Sequence, residues 1–195
     1  NGGEISLIAR DGDIIGTSAN SLLASFALSE AGEAGNGGNV TLKAGKAITN
    51  LEILTLSSSE QAGTVEITGL GDLLVTNTRI LTSRRVEVEV PFSYPPEFIT
   101  LDVGGQGQSG NVTIHSSGNL TFNNSSIESD TNGIRDAGDV EITSPGRVTF
   151  NNSQIISNTS NSGNAGNIFI NAGNGITFQG LYLYEGESQR GGLFA

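Results

Sequence analysis

A short phrase recurs along this chain: a Gly, a polar residue, then an apolar residue, any residue, and a second apolar residue. It reads Gly3-Glu4-Ile5-Ser6-Leu7, Gly38-Asn39-Val40-Thr41-Leu42 and Gly63-Thr64-Val65-Glu66-Ile67. It returns as Gly110-Asn111-Val112-Thr113-Ile114, Gly138-Asp139-Val140-Glu141-Ile142 and Gly166-Asn167-Ile168-Phe169-Ile170. The Gly-to-Gly steps are 35, 25, 47, 28 and 28 residues, and the two equal steps give the basic period. A fixed period of this size is the signature of a repeat architecture.

Each repeat carries three short apolar alternations. After Gly110 these are Val112 and Ile114, then Leu120 and Phe122, then Ile127. The next repeat places Val140 and Ile142, Val148 and Phe150, and Ile155 at the same offsets. The one after gives Ile168 and Ile170, Ile176 and Phe178, and Leu183; the one before gives Val65 and Ile67, Leu73 and Val75, and Ile80. Period-2 alternation over a few residues marks a half-buried strand, and the Gly, Asn and Ser between strands are turn formers. Three strands per period with no helix between them predict an all-β fold, a parallel β-solenoid of about six turns, one per repeat phrase. No strand buries its inner face alone, so each turn must stack on the last at about 4.8 Å, giving a rod of roughly 29 Å. Propeller blades need longer, antiparallel repeats, and an immunoglobulin-like sandwich does not keep its apolar offsets in phase.

Two polar columns follow the same phase. Asn50, Asn77, Asn124 and Asn152 fall at one corner after the second strand, where stacked amides form a structural ladder. Thr82, Ser129 and Ser157 align beside the third strand as an inward hydroxyl stack.

Length varies mainly between the third strand and the next repeat Gly. The largest departure is a lateral insertion at about 84–108, and extra residues of the first repeat lie within 17–37. Insertions on one edge of a solenoid often form its binding face. This one opens on Arg84 and Arg85, continues through Val86 to Val90 in clean alternation, and reaches Phe92, Tyr94 and Phe98. Three of the chain's four prolines, Pro91, Pro95 and Pro96, stiffen it and reduce the entropy lost on binding. Arg84, Arg85, Phe92, Tyr94 and Phe98 are therefore the candidate ligand-binding residues, for a sugar ring or a protein partner. The alternative is an extruded strand whose aromatics pack on the rod's own flank. Ser18 to Glu33, with Leu22, Leu23, Phe26 and Leu28, reads as a short amphipathic helix or a bulged strand. The stretch 181–195 breaks the pattern and is expected to be irregular, with a partial last turn.

Composition narrows the chemistry. The chain has no Cys, which removes disulfides, thiol catalysis and cysteine-ligated zinc. Its one His, His115, excludes a site built on two imidazoles. A net charge of −11 repels phosphates, so nucleic acid is not an expected partner. No apolar run approaches the ~20 residues of a membrane-spanning helix. The absence of Met places Asn1 at an internal boundary of a longer chain, and 1–195 reads as a single domain of it. Zero Cys and an acidic balance fit a secreted protein.

The carboxylates are the remaining candidate catalysts. Glu66 and Glu141 share an offset and face outward two turns apart, about 9.6 Å at the strand spacing. That approaches the inverting-glycosidase separation, but no Asp, Lys or Arg accompanies the pair. Asp130, Asp136 and Asp139 lack calcium-loop spacing, and Asp11-Gly12-Asp13 is ordinary turn chemistry. No metal site and no cofactor are expected, and His115 sits at an outward position.

The phrases Gly37-Gly38-Asn39-Val40-Thr41-Leu42 and Ser109-Gly110-Asn111-Val112-Thr113-Ile114 resemble a known repeat type, as do Asn123-Asn124-Ser125-Ser126-Ile127 and Asn164-Ala165-Gly166-Asn167-Ile168. They are similar to the repeats of filamentous-haemagglutinin-type proteins, particularly the large two-partner-secretion exoproteins common in cyanobacteria. The likeness spans roughly residues 1 to 180. It implies a right-handed parallel β-helix, export through a dedicated outer-membrane transporter as an unfolded chain, and adhesion at the cell surface. It also implies a shaft that is not an enzyme. The Asn-Pro-Asn motifs of that family's secretion domain are absent, so this stretch resembles shaft. The expected function is thus an extracellular β-helix segment of a secreted adhesin, presenting side loops to a glycan or cell-surface protein. End-to-end self-association through strand edges is a further expected partnership. The alternatives are a carbohydrate-active β-helix enzyme (a polysaccharide lyase or hydrolase) and a purely structural spacer.

Overall fold

The computed structural model describes residues 1–18, 21–27, 35–57, 60–82, 86–89, 98–101, 108–129, 131, 134–159, 162–184, 187–190 and 192–194. Within these, 86–89, 98–101, 181–184, 187–190, 192 and 194 are described by their backbone alone. All regular structure among the described residues is β.

The chain climbs turn by turn. The first turn contains β1 (Ile5–Ala9), β2 (Ile14–Ile15) and β3 (Ser21–Ala27). The second contains β4 (Val40–Ala44), β5 (Ala47–Thr49) and β6 (Leu51–Ser57), and the third β7 (Val65–Gly69), β8 (Leu73–Thr76) and β9 (Arg79–Thr82). A hairpin, β10 (Val86–Glu89) with β11 (Phe98–Leu101), interrupts before the fourth turn. That turn is β12 (Val112–Ser116), β13 (Leu120–Asn123) and β14 (Ser126–Glu128), and the fifth is β15 (Val140–Ser144), β16 (Val148–Asn151) and β17 (Gln154–Ile156). The sixth has β18 (Ile168–Ala172) and β19 (Ile176–Gln179), then a hairpin of β20 (Leu181–Tyr184) and β21 (Glu187–Arg190), then β22 (Gly192–Phe194).

These strands make three parallel sheets of six strands each, ordered β1-β4-β7-β12-β15-β18, β2-β5-β8-β13-β16-β19 and β3-β6-β9-β14-β17-β22. This is a parallel β-helix with three strands per turn. The repeat offsets become exact lateral neighbours. Val40, Val65, Val112, Val140 and Ile168 stack in one inward column, and Leu42, Ile67, Ile114, Ile142 and Ile170 in the next. In the second sheet Phe122, Phe150 and Phe178 stack face to face, with centroids 4.9 and 4.6 Å apart. Each fully buried apolar side chain contributes roughly 1.5–3 kcal/mol, so the columns supply the main drive to stack. Inward residues of the first and last turns have a neighbour on one side only. Phe178 is accordingly 38% exposed, where Phe150 is 1% exposed.

The repeat Gly has a steric reason. A Cβ on Gly138 would overlap the carbonyl of Gly110 in the turn below, so the backbone stacks here without a side chain. That carbonyl also accepts from Thr82 Oγ1 at 2.7 Å and Ser129 Oγ at 2.9 Å. Ser157 Oγ donates to the Gly138 carbonyl at 2.9 Å, and Thr55 Oγ1 to that of Gly63 at 2.6 Å. The inward hydroxyls therefore anchor the third sheet to the start of the first.

One element decides between two sequence expectations, and another departs from its expectation. The described part of the Ser18 to Glu33 segment holds a strand, β3, paired along its whole length with β6. The third strand of the last turn is β22, where Leu193 pairs with Ile155. Leu183, expected there, instead belongs to the β20–β21 hairpin opposite Ser188. The described residues of 181–195 thus form a hairpin, β20–β21, and a strand, β22, that rejoins the rod.

Candidate functional site: outer faces, corners and a polar groove

Of the candidate binding residues, Arg84, Arg85, Phe92 and Tyr94 lie outside the described residues. Phe98 opens β11, whose backbone pairs antiparallel with β10, Glu89 opposite Phe98. Within the insertion the structure describes the β10–β11 hairpin, between β9 and β12 in the chain, by its backbone alone.

Asn50, Asn77, Asn124 and Asn152 occupy one corner with φ of 56°, 47°, 47° and 47°. This left-handed conformation costs most L residues roughly 1–2 kcal/mol, and Asn tolerates it. Each amide reaches the one below: Asn77 Nδ2 donates to Asn50 Oδ1 at 3.2 Å, Asn124 to Asn77 at 3.5 Å and Asn152 to Asn124 at 3.1 Å. Gly180 takes the same kind of backbone, φ 87°, in the sixth turn.

A second set of polar rungs climbs the exposed corners. Asn39 Oδ1 accepts from Thr64 N, Asn111 Oδ1 from Asp139 N, and Asp139 Oδ1 from both Asn167 N and Nδ2. Asp136 Oδ1 accepts from Asn164 N at 2.7 Å and Nδ2 at 3.0 Å. Asp136 and Asp139 are thereby rungs between turns. Asp130, the third acid of that cluster, lies outside the described residues. Among the described residues no group of three or more His, Cys, Asp or Glu is placed to hold a metal ion.

The outer face of the third sheet is unlike the other two. Leu54, Leu56 and Leu81 point outward yet are buried and form a second small apolar cluster. Beside them the Glu128 carboxylate is fully buried and bound by Arg79, Nη2 to Oε2 at 3.1 Å and Nε to Oε1 at 3.4 Å. Arg79 Nη1 also lies 3.9 Å from Glu52 Oε1. Sequence reasoning treated outward positions as solvated and missed this ion pair. It is structural: burying a charge requires a partner of this kind.

On the first sheet's outer face, Glu66 and Glu141 are exposed and separated by Thr113 in the ladder. His115, also exposed, has its Nδ1 3.0 Å from Thr143 Oγ1.

The second sheet carries a groove of about 660 Å³ lined by Lys46, Asp72, Leu74, Asn119, Thr121, Arg147 and Thr149, with Leu73 at its base. Its floor is the outward column Leu74, Thr121 and Thr149, which Ala47 and Thr177 continue below and above. Its wall is the corner between the first and second sheets, where Asp72, Asn119 and Arg147 share the ninth place after the repeat Gly. Asp72 Oδ1 accepts from Asn119 N at 2.7 Å and Nδ2 at 3.2 Å, and Asn119 Oδ1 accepts from Arg147 N at 2.9 Å. Sequence reasoning did not single out this wall, although the shared offset was there to read.

No protein-family model, curated protein or solved structure matches the chain.

Proposed function

We propose that this chain is a non-enzymatic, extracellular β-helix shaft that presents lateral segments for contact with a glycan or cell-surface protein, as in a secreted adhesin. The observation that carries the reading is the division of labour around each turn. Inward positions are spent on apolar columns and hydroxyl anchors, and corner Asn and Asp residues on rungs between turns. Length variation is concentrated outside the strands, chiefly at the corner that follows the third sheet, where the β10–β11 projection leaves the rod. A rod whose inward positions and corner rungs are spent on its own cohesion is suited to carry something else. The resemblance to filamentous-haemagglutinin-type repeats adds export through an outer-membrane transporter to the same proposal.

The competing reading is a carbohydrate-active enzyme. Glycoside hydrolysis generally needs two carboxylates flanking one bond. The groove on the second sheet holds a single one, Asp72, already engaged by Asn119. Glu66 and Glu141 sit on a different face. This favours binding without bond cleavage.

The test is binding of the chain to a broad glycan and cell-surface-protein panel, beside a variant with residues 86–106 replaced by a short Gly-Ser linker. The expected result is at least one panel member whose binding the variant loses while it keeps its β spectrum. A panel in which every bound member is held equally by both forms, no binding by either, or glycan cleavage would overturn the reading.

A further inference from the structure

We infer that the groove on the outer face of the second sheet is a binding site for a linear anionic oligosaccharide lying parallel to the rod axis. Charge is the first reason. The chain carries −11 overall, yet Lys46 and Arg147 both line this groove. Among the described residues neither forms an ion pair with a carboxylate; the ion pairs there belong to Arg79. Arg147 Nη1 reaches a neutral partner, Thr177 Oγ1, at 3.4 Å. The anion inside the groove, Asp72, is screened by two donors from Asn119. Asp11 and Asp13, both exposed, lie in the same corner one turn below Lys46.

Geometry is the second reason. Lys46 belongs to the second turn and Arg147 to the fifth, so the two cations stand roughly 14 Å apart along the axis at about 4.8 Å per turn. Between them, in the third and fourth turns, Leu74, 39% exposed, offers an apolar surface to a sugar ring's C–H face and Thr121 a hydroxyl, and Thr149 adds a hydroxyl beside Arg147 in the fifth turn. A periodic array of hydroxyls and amides capped by a cation at each end matches a chain of pyranose rings with acidic groups at intervals. A single acidic sugar meets one cation at most. The site is separate from the lateral insertion and stands whether or not the insertion binds.

The experiment is calorimetric titration of the chain with four probes: an oligogalacturonate, a sulfated oligosaccharide, a neutral cello-oligosaccharide and monomeric galacturonate. The first two distinguish carboxylate from sulfate as the anion. Binding of either, weakened by salt as exposed charge pairs are, is expected. The K46Q/R147Q variant is expected to lose roughly tenfold or more in affinity, because two charge-assisted contacts vanish. The K43Q/R135Q variant, altered at cations outside the groove, and the insertion-replaced chain are expected to bind as the parent does. No binding of either anionic oligomer overturns the inference. So does neutral oligomer or monomer binding as tightly, or K46Q/R147Q binding unchanged.

Discussion

Single side chains in this molecule are selected by what lies directly above and below them. Asn124 shows the logic: its backbone is left-handed, φ 47°, and its amide links the turns on either side. Asn124→Ala forfeits both, the conformational tolerance at roughly 1–2 kcal/mol and a net hydrogen bond at about 1 kcal/mol. Asn124→Gly forfeits the ladder but keeps the conformation. The expected order of stability in urea denaturation is therefore parent, then Asn124→Gly, then Asn124→Ala, the last lower by about 2 kcal/mol. Alanine equal to or better than glycine would contradict the assignment. The Asn column was legible in the sequence because every rung has the same neighbours and so nearly the same offset. The Glu52, Arg79 and Glu128 cluster was not. Its members come from three different turns; Arg79 lies directly opposite Glu52 but reaches Glu128 diagonally, and Glu128 is buried on a face that alternation alone labels as solvent.

Strands add up by column. Phe150 is sandwiched between Phe122 and Phe178, whereas Phe178 has a ring on one side and is 38% exposed. Truncating a buried Phe to Ala costs roughly 3–5 kcal/mol through lost transfer energy and the cavity left behind. Phe150→Ala is expected in that range by denaturant titration, and Phe178→Ala clearly below it; equal losses would contradict the stacking order. The first two strands of every turn were readable because their apolar pairs keep phase. The last third strand was not. Leu181 to Tyr184 carries an apolar alternation where the repeat expects one, but it pairs with Glu187 to Arg190 as a hairpin, and β22 takes the place in the rod. A local pattern cannot say whether a strand pairs with its sequence neighbour or with the turn below. The segment before β4 was ambiguous for a related reason: Leu22, Leu23 and Phe26 fit a helical face as well as a strand, and the long partner β6 decides it.

At the scale of the whole molecule, one rule produces the rod: residues at the same offset in successive repeats are lateral neighbours. The three six-stranded parallel sheets and the corner ladders follow from that rule, as does the groove that runs along one outer face. The interruptions are confined to connections between strands, which lets projections vary while the register holds. The fold could be read because it is periodic; the contact chemistry could not, because the insertion occurs once and the groove is assembled from four turns. The most direct test of the rule uses the absence of native Cys. Cysteine pairs would be placed at Thr113 with Glu141 and at Thr121 with Thr149, each pair directly opposed in parallel strands. A third pair, His115 with Thr121, would face each other only if β12 and β13 formed an antiparallel hairpin. A disulfide needs Cα atoms within about 4.4–6.8 Å, a window that adjacent parallel strands meet. Under mild oxidation the first two pairs are expected to crosslink, read by mass spectrometry, and the third to stay reduced. Crosslinking of His115→Cys with Thr121→Cys, and none in the other two, would contradict the stacked β-helix and everything built on it.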